Sequence, residues 1–270
     1  YSHPNISIGR WLQDAGDWQG FYGKEKVDGK PIILNDYHVR NGGGSGVGYA
    51  ATFAETPDFK VDGLKIHTTE RNHLLYNIPT APGEWAENIH LSGSFWGGSP
   101  FAQTGGDFRF RSVTIENIVP GRYNYNTIVG LRRGGAKLHD FTIDLRGSVG
   151  SAQAVGVLVV DGPNLDVQNW TVHGYYSGDY NFDTIKLFQQ RQYKTGDSWH
   201  DAQVGEPSLF KNITAINEGI PIRLFGDGTQ YLDKATFEDI TLDVAQGVSE
   251  DMQKPPVQLK VYNGTPVSLD

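Results

Sequence analysis

The chain has 270 residues and a formal charge of −8, from 23 Lys and Arg against 31 Asp and Glu. It has 34 Gly, one Met and no Cys, which excludes disulfides, thiolate metal sites and a cysteine nucleophile. Apolar residues make up 38 % and aromatics 12 %, enough for a packed core, and the mixture of Gly, Asn, Thr, Val and Ile without helix-forming runs points to an all-β chain.

Residues 1–58 hold irregular apolar pieces: Ile6-Ser-Ile8, Pro31 to Leu34, Tyr37-His-Val39 and Tyr49 to Phe53. The glycine run at 42–48 lacks the Gly-Lys-Ser/Thr ending of a phosphate loop and reads as a turn. This stretch is expected to be a cap with one or two irregular first rungs, since a repeat array needs its end covered. The chain opens Tyr-Ser-His-Pro, the expectation for a mature or trimmed form.

From residue 59 a motif recurs, written apolar, any, turn residue, apolar, polar, apolar. Its seven copies are Val61-Asp-Gly-Leu-Lys-Ile66, Ala86-Glu-Asn-Ile-His-Leu91, Phe110-Arg-Ser-Val-Thr-Ile115, Leu138-His-Asp-Phe-Thr-Ile143, Val167-Gln-Asn-Trp-Thr-Val172, Phe210-Lys-Asn-Ile-Thr-Ala215 and Phe237-Glu-Asp-Ile-Thr-Leu242. The central apolar residues, Leu64 to Ile240, follow at steps of 25, 24, 28, 29, 43 and 27. The long step carries an insertion at about 174–208. Each copy ends in the period-two alternation of a half-buried strand. A second short strand pattern follows in most units: Val129-Gly-Leu131, Val157-Leu-Val159, Ile185-Lys-Leu187, Ile222-Arg-Leu224 and Leu259-Lys-Val261. A leucine-rich repeat has a similar core but needs an Asn or Cys beyond the strand and a helical return. Here the turn residue precedes the strand and the return is β. The favoured reading is one continuous domain, with 59–270 behind its cap, a single-stranded parallel β-helix of about eight to ten rungs.

The Asn/Asp-Φ-Thr-Φ rungs at Asn88, Asp140, Asn169, Asn212 and Asp239 resemble the pectin-lyase-like superfamily of right-handed parallel β-helices over about residues 59–264. That superfamily includes polysaccharide lyases, glycoside hydrolases, uronate epimerases and phage tailspike depolymerases. The resemblance therefore implies a secreted or virion-surface protein with a polysaccharide partner, with Ca²⁺ as a cofactor of one lyase branch. Phage depolymerases are often trimers, so a homotrimer is among the assemblies it implies. The Asn-Thr-Asp, Asp-Asp and His-Gly motifs of the hydrolase branch and the Asp-Pro-His of the epimerase branch are absent. No metal-ligand motif is present. The acidic balance speaks against nucleic acid, and no apolar run reaches the roughly 18 residues of a membrane span.

In stacked strands, functional side chains form rows across the outer face. The outward position following each motif reads His67, Ser92, Glu116, Asp144, His173, Ile216, Asp243. On the second strand, Lys186, Arg223 and Lys260 read as a basic row able to hold a uronate carboxylate. The insertion supplies aromatic faces for sugar rings at Tyr175, Tyr176, Tyr180 and Trp199, with His200 beside them. For β-elimination, Lys186 and Arg223 would neutralise the carboxylate and His173 or Tyr175 would move the proton. For hydrolysis, Asp183 and Asp227 are the carboxylate pair to consider. The same rows also fit a solvated outer face, and a non-catalytic binding or shaft module remains an alternative, alongside hydrolysis and epimerisation.

Overall fold

A computed structural model describes residues 7–14, 21–22, 32–42, 51–52, 59–69, 73–76, 84–95, 99–103, 108–120, 128–131, 135–146, 158–160, 165–173, 186–190, 194–195, 198–199, 208–218, 220–226, 235–244 and 257–261. Among these there are twenty strands and no helix. The first ten are Ser7–Asp14 (β1), Phe21–Tyr22 (β2), Ile32–Gly42 (β3), Ala51–Thr52 (β4), Phe59–Thr69 (β5), Leu75–Tyr76 (β6), Ala86–Phe95 (β7), Phe101–Gln103 (β8), Arg109–Pro120 (β9) and Val129–Leu131 (β10). The rest are Lys137–Asp144 (β11), Leu158–Val160 (β12), Asp166–His173 (β13), Lys186–Gln190 (β14), Lys194–Thr195 (β15), Ser198–Trp199 (β16), Ser208–Glu218 (β17), Ile220–Gly226 (β18), Ala235–Val244 (β19) and Val257–Val261 (β20).

The chain alternates between two nine-stranded parallel sheets. One holds the long strands in the order β1-β3-β5-β7-β9-β11-β13-β17-β19, and the other the short strands β2-β4-β6-β8-β10-β12-β14-β18-β20. Each repeat unit thus adds one strand to each sheet. Only β15 and β16, within the insertion, pair antiparallel in a sheet of their own.

The register of the long-strand sheet is the one the repeat writes. Val61, Ala86, Phe110, Leu138, Val167, Phe210 and Phe237 pair in succession, as do Leu64, Ile89, Val113, Phe141, Trp170, Ile213 and Ile240. Apart from the terminal Phe237 and Ile240, these side chains are at most 1 % exposed. They stack like on like: Phe141 lies flat on Trp170 at 4.5 Å, and Phe210 on Phe237 at 4.9 Å. The Trp170 indole N–H is satisfied by the Leu138 carbonyl at 2.9 Å. The short-strand sheet faces this core with Leu75, Phe101, Val129 and Leu131, all buried.

The turn residue of every motif copy has positive φ. Gly63 stands at 83°, and Asn88, Ser112, Asp140, Asn169, Asn212 and Asp239 at 52–58°. These residues are skipped in the pairing, so each long strand bends there while both halves stay in register with their neighbours. Gly, Asn and Asp enter this left-handed region most readily, which is why they recur in the slot. Their amides link unit to unit: Asn88 donates to Asp62 Oδ1 (2.7 Å), Asn169 to Asp140 Oδ1 (2.8 Å) and Asn212 to Asn169 Oδ1 (2.9 Å).

The same register extends into the stretch read as a cap. Ile8, Leu34 and Val61 pair in succession, as do Trp11, Tyr37 and Leu64, so β1 and β3 are regular members of the long-strand sheet.

Candidate functional site

Because apolar positions alternate with polar ones, each long strand presents outward columns that run across the sheet at about 4.8 Å per strand. The column after each motif pairs as expected from His67 to Asp243 and continues back through Arg40 to Asp14. It therefore crosses all nine strands. Eight of its members carry a hydroxyl or an ionisable group, and only Ile216 interrupts it.

Neighbouring groups in and beside this column are coupled. His67 Nδ1 shares a hydrogen bond with Ser92 Oγ at 3.0 Å, and His90 Nε2 lies 3.0 Å from Glu116 Oε1. Asp144 is clamped by Arg146, which donates from Nε to Oδ1 (2.9 Å), from Nη2 to Oδ2 (2.6 Å) and from its backbone N–H to Oδ1 (3.0 Å). Those hydrogen bonds, with a smaller contribution from the charge of His173, hold the Asp144 carboxyl down at about 2. Asp144 is thus an anion at neutral pH, directly beside half-buried His173 in the register.

A second column precedes the bend, and its ions are paired within the protein. Arg111 donates to Glu87 at 2.6 Å and packs on the Trp85 ring at 5.6 Å. His139 lies 3.2 Å from Asp166 and 4.8 Å from the Trp85 ring, and Lys211 donates to Glu238 at 2.7 Å. The hydrogen bond to Glu87 raises the Arg111 guanidinium, and that to Glu238 raises the Lys211 ammonium. No sequence motif marked Trp85; its place one residue before the copy at Ala86 was the available signal.

The expected basic row is corrected by the register of the short-strand sheet. Lys186 pairs with Ile220, Arg223 with Gln189 and Gln258, and Lys260 with Phe225. The three cations stand at three different levels. The cause is the apolar run Val157 to Val160 and the pair Leu187-Phe188, which permit more than one parity. The pairing adopted is Val129, Leu158, Phe188, Ile222 and Val257, and a one-residue slip sends a side chain to the other face. His173 is the one proposed catalytic residue on the long-strand sheet. Trp199 lies in β16, paired with Lys194. Tyr175, Tyr176, Tyr180, Asp183, His200 and Asp227 lie outside the described residues.

Among the described residues no group of three or more His, Asp or Glu is placed to hold a metal ion, and no helix is long and apolar enough to cross a membrane. Glu116 and Asp144, the adjacent carboxylates of the column, are engaged by His90 and Arg146, so they do not make a Ca²⁺ ligand set. No protein-family model matches the chain, and neither a curated protein nor a solved structure is similar to it.

Proposed function

We propose that the chain is a right-handed parallel β-helix that binds an extended acidic polysaccharide outside the cell or on a virion surface and cleaves it by β-elimination. The observation that carries this reading is the polar column running in register across all nine long strands. An array of hydroxyls, imidazoles and charges repeating at about 4.8 Å suits a linear polymer better than a compact metabolite.

Elimination needs a base beside the acidic C–H of a uronate, and a cation at its carboxylate. His173, the last residue of β13 and adjacent in sequence to the aromatic insertion, is the candidate for the first role in this reading. Lys186 and Arg223 belong to β14 and β18 of the short-strand sheet, three register positions apart, and so are not assigned the second role in the His173 column. Hydrolysis would rest on Asp183 and Asp227, which lie outside the described residues, since Asp144, held at about 2, is unsuited to act as its acid.

A second reading, a binding or shaft module without catalysis, is favoured by the internal pairing of Glu116 with His90 and of Asp144 with Arg146. Incubation with a panel of uronate polymers separates the two. The elimination reading expects ultraviolet absorbance from an unsaturated product, lost in His173→Ala. Polymer binding without that absorbance and without new reducing ends leaves the binding module. New reducing ends without unsaturation restore the hydrolase.

A further inference from the structure

Three of the eight histidines lie on three consecutive long strands, β3, β5 and β7. His38, Lys65 and His90 pair in one outward column, and Arg40, His67 and Ser92 pair in the next, where Ser92 is buried. Lys65 and His67 are exposed, and His38 and His90 are half-buried. Columns are about 7 Å apart along a strand and about 4.8 Å apart between strands, so these basic positions share one small face.

The charged surroundings of that face are sparse. On the β1 side, Leu12 and Asp14 are in register with His38 and Arg40; on the β9 side, Thr114 and Glu116 are in register with His90 and Ser92. Glu116 is engaged by His90 Nε2. Asp62 and Glu87 sit before the bend and are held by Asn88 and Arg111. With the imidazoles neutral, Arg40, Lys65 and Arg111 stand against Asp14, Asp62, Glu87 and Glu116, a near balance that protonation of the three histidines tips to positive.

We infer that the outer face of β3, β5 and β7 is a docking site for a linear polyanionic polysaccharide, bearing carboxylate or sulfate groups, whose grip tightens in mild acid. The inference rests on the acidic-polysaccharide reading above and adds to it a location and a pH dependence. Imidazole is the side chain that ordinarily changes charge between pH 5 and 8, while sugar carboxylates and sulfates stay anionic there. Acidification adds positive charge to the face without discharging the ligand. The columns run across the strands, so successive sugars meet successive strands. By linkage, a ligand that prefers the protonated face must draw protons from solution when it binds.

The test is titration calorimetry of the full chain with polygalacturonate and with dextran sulfate at about pH 5.5 and about pH 7.5, on either side of the imidazole range. Uncharged dextran and a single-stranded DNA oligomer are the comparison probes. The expected result is at least about tenfold tighter binding of both polyanions at the lower pH. Net proton uptake accompanies it, read from buffers of different ionisation enthalpy. His67→Gln, at an exposed position, reduces the acid gain, and His38→Gln, His67→Gln and His90→Gln together abolish it while binding at the higher pH persists. Lys65→Gln weakens binding at both. Equal affinity at the two pH values, or an acid gain that survives in the triple variant, overturns the inference and leaves the polysaccharide reading standing. Tighter binding of DNA than of either polysaccharide overturns the proposed occupant. Failure of every polysaccharide at both pH values overturns the inference and the reading beneath it.

Discussion

Asn169 sits at the bend of β13 with φ of 58° and bonds in both directions along the amide ladder. Replacing it with Ala removes the donor to Asp140 and the acceptor for Asn212. Both bonds are exposed, so each loss costs about 0.5 kcal/mol, the low end for a net hydrogen bond. A β-carbon without a compensating polar group in the left-handed region costs about 1 kcal/mol more. Asn169→Ala is therefore expected to lose about 2 kcal/mol. Asn169→Gly loses the same two bonds but occupies positive φ freely, so it should be more stable than the Ala variant by about 1 kcal/mol. Urea unfolding of the three proteins, compared by midpoint at constant slope, reads this directly. An Ala variant as stable as the Gly variant would refute the bend, because any ordinary strand conformation favours Ala.

Other consequences are open to the same kind of measurement. Trp170→Ala deletes a buried ring stacked on Phe141 and should cost about 3–5 kcal/mol in urea unfolding. Ser208 is fully buried and accepts from the Leu165 N–H at 3.1 Å, so Ser208→Ala strands that donor and should cost about 1–3 kcal/mol. The depressed Asp144 carboxyl stabilises the fold fully above its ordinary range and loses that contribution as pH falls from about 4 towards about 2. Asp144→Asn should be less stable than the parent at neutral pH and converge with it near pH 2, and parallel acid-unfolding curves for the two would contradict this.

The repeat was legible because two physical constraints write it. The core demands an apolar residue at fixed offsets, and the bend demands Gly, Asn or Asp between them. Ser112 alone holds the bend without those side chains, and there the flanking Phe110 and Val113 preserve the motif. The column from His67 to Asp243 followed from the same offsets. In β3, Leu34-Asn-Asp-Tyr37-His-Val39 fits the motif, with Tyr37 a step of 27 before Leu64, whereas Ile8-Gly-Arg-Trp11-Leu-Gln13 of β1 breaks it at its last two positions and joins the sheet by pairing alone.

The short strands were harder to read. With only two or three paired residues each in β4, β6, β8, β10 and β12, and apolar residues at consecutive positions in Val157 to Val160, alternation cannot fix which side faces in. Lys186, Arg223 and Lys260 were aligned on that ambiguity, and the pairing separates them. The coupling of Asp144 to Arg146 was equally hidden. It depends on a residue just past the strand end, where the repeat imposes no pattern. Column membership thus follows from periodicity, whereas the state of a given acid depends on its individual neighbours.

The most direct test of the central claim is a crystal structure of the chain with a linear oligouronate long enough to span several strands, grown in mild acid. The account predicts sugar density running across the strands of the long-strand sheet, over the column that contains His67, Ser92, Glu116, Asp144 and His173. Density confined to the opposite sheet, or running along a single strand instead of across them, would contradict it.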